Sequence, residues 1–356
     1  MPQRPDRMRP VTLITGGAGF VGTNVATRLL DEGRRVRIFD NLSRPGVEQN
    51  LRGLLHRYGK RVEVTLGDIR DPLLVRNAVQ GVDAVFHFAA QVAVTTSVVD
   101  PVGDFGVNAE GTLRLLEELR RREDPPPLLF TSTNKVYGTL RHLRLERRGE
   151  RWEPVDARLR ANGIDERTRL DFCTPYGCSK GAADQYVLDY AKTYGVPAIV
   201  FRMSCIYGPH QHGTEDQGWV AHFLLRALAN ETIMIYGDGA QVRDILYVDD
   251  LVDAMLAASA RRDLGGTAFN VGGGPECSVS LLEVLDLIEL ATGVRPSVAF
   301  GRERIGDQRY YVSDTSRLGD AIGWRPRVLP EEGIEALHRW LVENAPRHRA
   351  VAAATG

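Results

Sequence analysis

The strongest constraint on the fold of this chain is a glycine-rich turn that joins an apolar run to a helical pattern. The run covers residues 11–15, and its apolar and β-branched side chains are typical of a buried parallel strand. Gly16, Gly19 and Gly22 follow it, and the apolar side chains after Gly22 recur at helical spacing. A strand, a glycine turn and a helix in this order predict a phosphate-binding loop, because glycines let backbone amides approach an anion at a helix N-terminus.

An acidic residue follows the second predicted strand, which covers residues 35–39. Asp40 lies about two dozen residues after Gly16, close to the roughly 20 expected for a carboxylate that binds a ribose diol. Such a carboxylate repels a 2′-phosphate and therefore favours NAD over NADP, although Arg44 nearby is able to tolerate that phosphate. Asp68 and Ile69, after the third predicted strand, either frame an adenine or form a turn and a core position.

Strands and helices alternate along most of the chain. After the first two strands, we predict strands over 62–66, 84–88, 128–131 and 198–201 and helices over 72–80, 107–121 and 176–194. This order predicts an α/β fold with a Rossmann-type doubly wound parallel sheet, whose ligands bind where the strands end. Beyond residue 206 the alternation loosens, which indicates a smaller interleaved α/β lobe. We therefore expect a disordered segment over 1–10, a Rossmann domain over 11–205 to which 243–268 returns, a substrate-binding lobe over 206–242 and 269–345, and a flexible tail over 346–356.

Residues 139–174 interrupt the alternation. The segment is rich in Arg and Glu, contains Trp152 and shows no clear period. A loop of this length in a compact domain is either functional or a solvated insertion.

Tyr176 and Lys180 are spaced for one face of the helix predicted over 176–194. An ammonium group near a phenol favours the phenolate, so this pair predicts a tyrosine that acts as a general base. The same spacing also occurs on ordinary solvated helices. Hydroxyl side chains, Thr133 among them, end the predicted strand before this helix. They either satisfy backbone groups of the loop, or one of them binds a substrate hydroxyl.

The composition excludes several other classes of protein. The net charge of -1, with both signs mixed along the chain, argues against general binding to nucleic acid or membrane surfaces. No apolar run approaches the roughly 20 residues that span a bilayer. The four cysteines form no Cys-x-x-Cys pair and have no zinc-ligand spacing with histidine. We expect a cytoplasmic protein with reduced thiols and no metal site.

Taken together, these motifs resemble the extended short-chain dehydrogenase/reductases that act on nucleotide sugars, and the resemblance covers about residues 11–345. Within that family, the nearest branch comprises the C2 epimerases of CDP-linked sugars. The similar segments are FDNLSR (39–44), QVAVTTS (91–97), STNKVYG (132–138), LDF (170–172), PYGCSKGAADQY (175–186), DQGWV (216–220) and QVRD (241–244).

The resemblance implies NAD-dependent epimerisation of a nucleotide-diphosphate sugar at C2, of the CDP-paratose/CDP-tyvelose or CDP-glucose type. Tyr176 would remove the proton of the C2 hydroxyl as a hydride passes to tightly bound NAD. Lys180 would lower the pKa of the tyrosine and hold the nicotinamide ribose, and Thr133 would steady the sugar hydroxyl. The planar 2-keto intermediate would then turn its other face and take the hydride back.

The resemblance also assigns binding residues. Those expected to contact NAD are Gly16, Gly19, Phe20, Val21, Gly22, Asp40, Asn41, Ser43, Arg44, Asp68, Ile69, Phe88, Ala89, Ala90, Gln91, Tyr176 and Lys180. Those expected to contact the substrate are Ser97, Thr133, Asn134, Gln217, Gly218, Trp219, Val220, Arg243 and Arg309. Arg243 and Arg309 match positions that hold the pyrophosphate, and the alternative for each is a surface ion pair. Relatives pair through helices, so we expect a homodimer or homotetramer built on 107–121 and 176–194.

Two departures from the family pattern bear on the substrate. The 4,6-dehydratases carry Asp-Glu after the catalytic threonine, where this chain has Asn134 and Lys135. Many 4-epimerases carry an asparagine three places after the strand arginine, here Arg202, where this chain has Cys205. Both departures favour C2 epimerisation. The alternatives are a UDP-sugar 4-epimerase or a related oxidoreductase or decarboxylase, and a catalytically idle dinucleotide-binding protein.

Overall fold

The computed structural model describes residues 10–344, in which strands and helices alternate as the sequence predicts. The strands are β1 Val11–Thr15, β2 Arg35–Asp40, β3 Val62–Leu66, β4 Ala84–His87, β5 Leu128–Thr133, β6 Leu145–Arg148, β7 Arg151–Pro154, β8 Ala198–Met203, β9 Cys205–Tyr207, β10 Ile233–Tyr236, β11 Val242–Tyr247, β12 Thr267–Val271, β13 Ser278–Ser280, β14 Val298–Gly301 and β15 Tyr310–Tyr311. The helices are α1 Phe20–Asp31, α2 Val47–Tyr58, α3 Pro72–Ala78, α4 Val94–Val99, α5 Pro101–Phe105, α6 Gly111–Arg120, α7 Ala157–Asn162, α8 Thr174–Tyr194, α9 Trp219–Leu228, α10 Val248–Ser259, α11 Leu281–Thr292, α12 Ser316–Ile322 and α13 Pro330–Glu343.

A seven-stranded parallel sheet forms the centre of the larger lobe, in the order β12-β8-β5-β4-β1-β2-β3. Strand β1 is buried along its whole length because helices cover both faces of the sheet. The chain runs outward from β1 to β3 and returns to β4 on the other side of β1. The strand order therefore reverses at β1, where doubly wound sheets bind their ligands. The predicted Rossmann-type α/β fold is confirmed.

The smaller lobe contains short sheets with helices packed against them. Strand β11 pairs with β9, β13 and β15, and β10 pairs with β14. Helices α9, α11 and α13 contribute to an apolar core of their own. Two of the predicted domain boundaries, at 242/243 and at 268/269, disagree with the observed strand pairing. Strand β11 belongs to the small sheet rather than to the larger lobe, and β12 pairs with β8, so residues 269–271 belong to the large sheet.

The segment 139–174 is partly ordered and packs on the smaller lobe. It contains the hairpin β6–β7 and helix α7, whose first turn is capped by Asp156. The backbone amide of Trp152 donates to the Ala240 carbonyl at 2.8 Å, and its indole donates to Asp238 at 2.9 Å. The hydrogen bonds of Trp152 argue against a freely solvated insertion.

The described chain begins at residue 10 and ends at residue 344. The predicted terminal segments cover 1–10 and 346–356, and apart from residue 10 both lie outside the described residues. Between residues 10 and 344, no helix has the length and apolar character needed to cross a bilayer.

A buried ion pair fastens α8 to the large sheet. Asp184 on α8 is fully buried and accepts two hydrogen bonds from the Arg202 guanidinium on β8, both at 2.9 Å. The Tyr137 hydroxyl lies 3.2 Å from the same guanidinium. A bidentate pair of this kind fixes both the position and the rotation of the helix.

Asp184→Asn is expected to lower the free energy of unfolding by about 3 kcal/mol or more, because it leaves the Arg202 charge buried without its counter-ion. Urea unfolding at pH 7 measures this loss. Asp263→Asn is the matched control, because Asp263 pairs with Arg261 at 2.7 Å on the surface, and its loss should leave stability nearly unchanged. Equal stabilities of the two variants would contradict the prediction.

Candidate active site

The glycine turn after β1 brings three strand ends together. Gly16 has φ +68°, and a Cβ atom there would lie 2.7 Å from the Ala89 nitrogen and 2.8 Å from the Phe88 carbonyl carbon. The Gly16 amide also donates to the Phe39 carbonyl at 2.8 Å. Only glycine fits this position, where the turn contacts the ends of both β2 and β4.

The N-terminus of α1 opens beside this turn. Among the described residues, no side chain caps the helix at Gly19, and Phe20 and Val21 line a cavity of about 590 Å³. Amides of an uncapped first turn bind anions well, because they carry the positive end of the helix dipole. The cradle fits the diphosphate of a dinucleotide.

Asp40 lies against the same turn. Its carboxylate accepts hydrogen bonds from the backbone amides of Ala18 at 3.0 Å and Leu42 at 2.8 Å. Burial raises the pKa of this carboxyl, and the two amides counteract the rise. Asn41 donates to Asp68 at 3.2 Å, while Ser43 is exposed next to it. The predicted ribose carboxylate is therefore positioned next to the phosphate cradle.

Three other predicted cofactor contacts are already engaged within the protein. Asp68 accepts a bidentate pair from Arg70 at 2.9 and 2.8 Å, which lowers its pKa to about 2. The Ile69 side chain is buried in the core. The Gln91 side chain bonds to the Ala93 backbone and to Asp104. The Ile69 side chain thus follows the core alternative.

A cavity of about 590 Å³ lies between the two lobes. It collects many of the predicted substrate residues: Thr133 and Asn134 at the end of β5, Tyr176 on α8, and Gln217, Gly218, Trp219, Val220 and Arg243 from the smaller lobe. The Trp219 indole donates to the Cys205 sulfur at 3.3 Å on the cavity wall. Residues far apart in sequence thus face one space.

Tyr176 and Thr133 lie together at the wall of this cavity. Burial raises the pKa of the Tyr176 phenol to about 12, and Thr133 counteracts this rise. The Lys180 ammonium donates to the Thr131 carbonyl at 2.6 Å and lies 4.2 Å from the Phe130 ring centre. Burial lowers the pKa of Lys180 to about 7. The ammonium group is bonded to the strand and burial dominates at the phenol, so the lowering of the tyrosine pKa by Lys180 stays a prediction.

A buried carboxylate that the sequence reading missed lies behind these residues. Asp104 is 1% exposed and accepts hydrogen bonds from Ser179 at 2.5 Å, Gln91 at 3.0 Å and Asn108 at 3.1 Å. Its charge raises the pKa of both Lys180 and Tyr176. An acid in a segment rich in valine and phenylalanine is the one sequence signal that could have found it.

Two predicted substrate contacts do not reach the main cavity. Ser97 is fully buried, where it donates to the Val94 carbonyl at 2.7 Å and accepts from the Tyr176 amide at 3.1 Å. It therefore fixes the start of α8. Arg309 lines a second cavity of about 430 Å³ and lies over the Trp152 ring at 5.2 Å. Arg309 lies in the loop between β14 and β15, and the path of that loop turns its side chain toward the second cavity.

Two other arginines line the main cavity instead. Arg304, which the sequence reading missed, lies 4.0 Å from the centre of the Tyr236 ring and pairs with Asp216 at 3.1 Å. Arg243 is buried and donates to Asp307 at 2.6 Å. Its ion pair is therefore internal, and the alternative of a surface ion pair does not hold for Arg243.

Comparison with known proteins identifies relatives of the whole chain. The model of the NAD dependent epimerase/dehydratase family matches residues 12–272. A CDP-paratose 2-epimerase of Salmonella typhi is 41% identical over 336 residues, which are 92% of this chain and 98% of that protein. A UDP-glucose 4-epimerase of Mycolicibacterium smegmatis is 34% identical over 324 residues, with 91% and 96% covered. The crystal structure of a dTDP-glucose 4,6-dehydratase of Streptomyces venezuelae, with NAD and TYD bound, has a TM-score of 0.82 at 28% identity and covers 96% of this chain and 99% of that one.

Lys180→Met should reveal the burial of the Lys180 charge through the pH dependence of stability. The folded pKa of about 7 lies below the ordinary value of 10.5, so between these values the unfolded chain holds a proton that the folded chain lacks. The cost of burying the Lys180 charge is complete below pH 7 and falls as the pH rises toward 10.5. The free energy of unfolding of the wild type, relative to that of the variant, should therefore rise by up to about 1.4 kcal/mol per pH unit across this window. Urea unfolding at pH 7, 8, 9 and 10 tests this, and parallel curves would refute it.

Proposed function

The chain belongs to the NAD dependent epimerase/dehydratase family, and from that premise we propose that it epimerises a nucleotide-diphosphate sugar at C2, with a CDP-linked hexose of the paratose/tyvelose type as substrate. The observation that carries the proposal is the pair of Thr133 and Tyr176, whose side chains lie together at the wall of a cavity between the lobes. The choice of C2 and of CDP follows the relative of 41% identity. Asn134 and Lys135 after Thr133 favour it over a dehydratase, which uses acids there.

The residues around the glycine turn are suited to hold the cofactor. The backbone of the turn and the first turn of α1 would bind the pyrophosphate of NAD, and Asp40 would accept from its ribose hydroxyls. NAD, when bound, supplies reversible hydride transfer at the sugar carbon. Because the hydride taken is also returned, the reaction consumes no cofactor.

Tyr176 exchanges the proton of the reacting hydroxyl in this mechanism. Its phenolate accepts the proton of the C2 hydroxyl as C2 is oxidised, and it returns a proton to the carbonyl oxygen when the alcohol re-forms on the opposite face. Thr133 holds that oxygen next to the phenol through its own hydroxyl. Positive charge next to the phenol lowers its raised pKa, so a protonated Lys180 that leaves the Thr131 carbonyl would assist.

The smaller lobe would hold the substrate while the sugar turns. The planar 2-keto sugar must present both faces, so its fixed point has to be remote from the reacting carbon. Arg243 and Arg304 line the cavity on that side, and guanidinium groups bind diphosphates at two points. Arg304 replaces Arg309 in the proposed set.

A homodimer is the assembly that the surface supports best. Helices α4 and α5 pack against α8. They leave apolar side chains exposed, among them Val99 at 86%, Val102 at 81% and Phe105 at 55%. We propose that this face, together with α6 and α8, pairs with a second copy, because a contiguous apolar patch marks an interaction site.

Tyr176→Phe should abolish epimerisation and leave NAD bound, because it removes one oxygen and preserves the ring. Proton NMR of the purified enzyme with CDP-paratose, CDP-glucose and UDP-glucose, without added cofactor, is the assay. The wild type should invert C2 of a CDP-sugar, and the variant should be at least about 100-fold slower.

Three other outcomes of this assay would contradict the proposed reaction or its mechanism. Inversion of UDP-glucose at C4 would replace the proposal with the 4-epimerase alternative. Net accumulation of NADH would indicate a dehydrogenase, and unchanged activity of Tyr176→Phe would exclude the mechanism. Bound NAD is measured separately by absorbance after denaturation, so a loss of cofactor is not mistaken for a loss of the base.

The dimer is tested by sedimentation of wild type and Val102→Asp. A charge at an apolar interface should raise the dissociation constant at least about tenfold. Val294→Asp, at an exposed position of the smaller lobe, should leave it unchanged. A monomeric wild type would contradict the dimer, and a fourfold mass would replace it with the tetramer.

A further inference from the structure

Lysine is rare in this protein, and two of its four lysines, Lys135 and Lys180, lie beside the candidate active site. The chain has only four lysines among its 45 basic residues. Lys60 and Lys192 are exposed, whereas Lys180 is buried and Lys135 has a side chain that is 19% exposed. The other basic residues among these 45 are arginines. Lysine differs from arginine in presenting a compact point charge rather than a planar fork, so Lys135 adds a different kind of cation to a site that also contains arginines.

The Lys135 ammonium belongs to a charged cluster in the cavity wall. It donates to the Gly306 carbonyl at 3.1 Å and lies 3.5 Å from the Asp307 carboxylate. Arg243 donates to the same carboxylate oxygen at 2.6 Å. Lys135, Arg243 and Asp307 all line the main cavity. Two cations that share one carboxylate leave the cluster with net positive charge, which suits an anionic ligand.

The position of Lys135 relative to the reacting carbon identifies that anion. Its backbone amide donates to the Thr133 hydroxyl at 3.2 Å, and its ammonium group shares Asp307 with Arg243, so Lys135 links the proposed C2 contact to Arg243. In a glycosyl diphosphate, C2 is bonded directly to the C1 that carries the phosphate, whereas C4 lies across the ring. With C2 at Thr133 and Tyr176, the phosphate on C1 is next to Lys135.

We infer that Lys135 is a substrate-binding residue whose ammonium group binds the phosphate that carries the sugar, and that it thereby favours reaction at C2. The inference rests on the proposed function. Asp307 contacts both Lys135 and Arg243, so the two cations lie close enough together to serve one diphosphate. Burial lowers the pKa of the Lys135 amine and the Asp307 charge raises it, so a bound phosphate adds to the charge that keeps the amine protonated.

Calorimetry with CDP and CMP tests the inference, because only CDP has the second phosphate. The wild type should bind CDP at least about tenfold more tightly than CMP. Lys135→Met should weaken CDP about 10- to 100-fold and CMP by no more than about threefold, which closes the gap. In the NMR assay the same variant should raise KM far more than it lowers kcat. Lys60→Met, on the surface, is the matched control.

The alternative outcomes separate this inference from the proposed function. An unchanged gap between CDP and CMP in Lys135→Met, or an equal loss for both ligands, would overturn the role of Lys135. The same measurements with UDP and UMP test the choice of nucleobase. If Lys135→Met removes the difference in affinity between UDP and UMP but not that between CDP and CMP, the role of Lys135 stands and the preference for CDP does not. Circular dichroism checks folding, and Lys135→Gln, which keeps a donor without the charge, repeats the test if Lys135→Met does not fold.

Discussion

The attachment of helix α8 to the central sheet is the interaction on which the candidate site depends. Two groups one turn apart on this helix reach the sheet: the Lys180 ammonium bonds to the Thr131 carbonyl, and Asp184 pairs with Arg202. Thr131 and Arg202 lie on the neighbouring strands β5 and β8. The helix can therefore neither slide nor rotate without breaking buried charged hydrogen bonds, and Tyr176 is held facing Thr133.

Burial gives these groups an electrostatic character that the Tyr/Lys spacing does not reveal. The phenol and the ammonium both lose solvation, so the tyrosine pKa rises to about 12 and the lysine pKa falls to about 7. Both shifts favour the neutral forms. Asp184 and Asp104 both raise the pKa of Lys180 and so keep its cationic form accessible near neutral pH. A cation next to the phenol favours the phenolate, and an anion next to the amine favours the ammonium form.

The sequence predicts features that depend on neighbouring residues and fails where loops decide the direction of a side chain. The glycine turn, Asp40 and the α/β alternation depend on short spacings that strands and helices convert directly into positions. Arg304 and Arg309 lie five residues apart in a loop, and only the path of that loop determines which of them faces the main cavity. Ser97 occurs in a segment similar to nucleotide-sugar enzymes, yet its hydroxyl bonds to backbone at the start of α8. The partners of β11, inside the small sheet, and of β12, at the edge of the large sheet, depend on contacts between residues far apart in sequence, which no local pattern reveals.

The division between the lobes separates two requirements of an epimerase. The proposed proton-exchanging pair lies in the larger lobe, with Tyr176 on α8 and Thr133 at the end of β5, whereas the arginines suited to the diphosphate come from the smaller lobe. Asp307 joins the two sides, because it contacts both Arg243 of the smaller lobe and Lys135, two residues after Thr133. In the proposed mechanism, a sugar held at its diphosphate by this cluster would pivot about C1, and C2, which is bonded to C1, would move less than the carbons across the ring. C2 would then present either face to the cofactor while its oxygen stays within reach of Thr133.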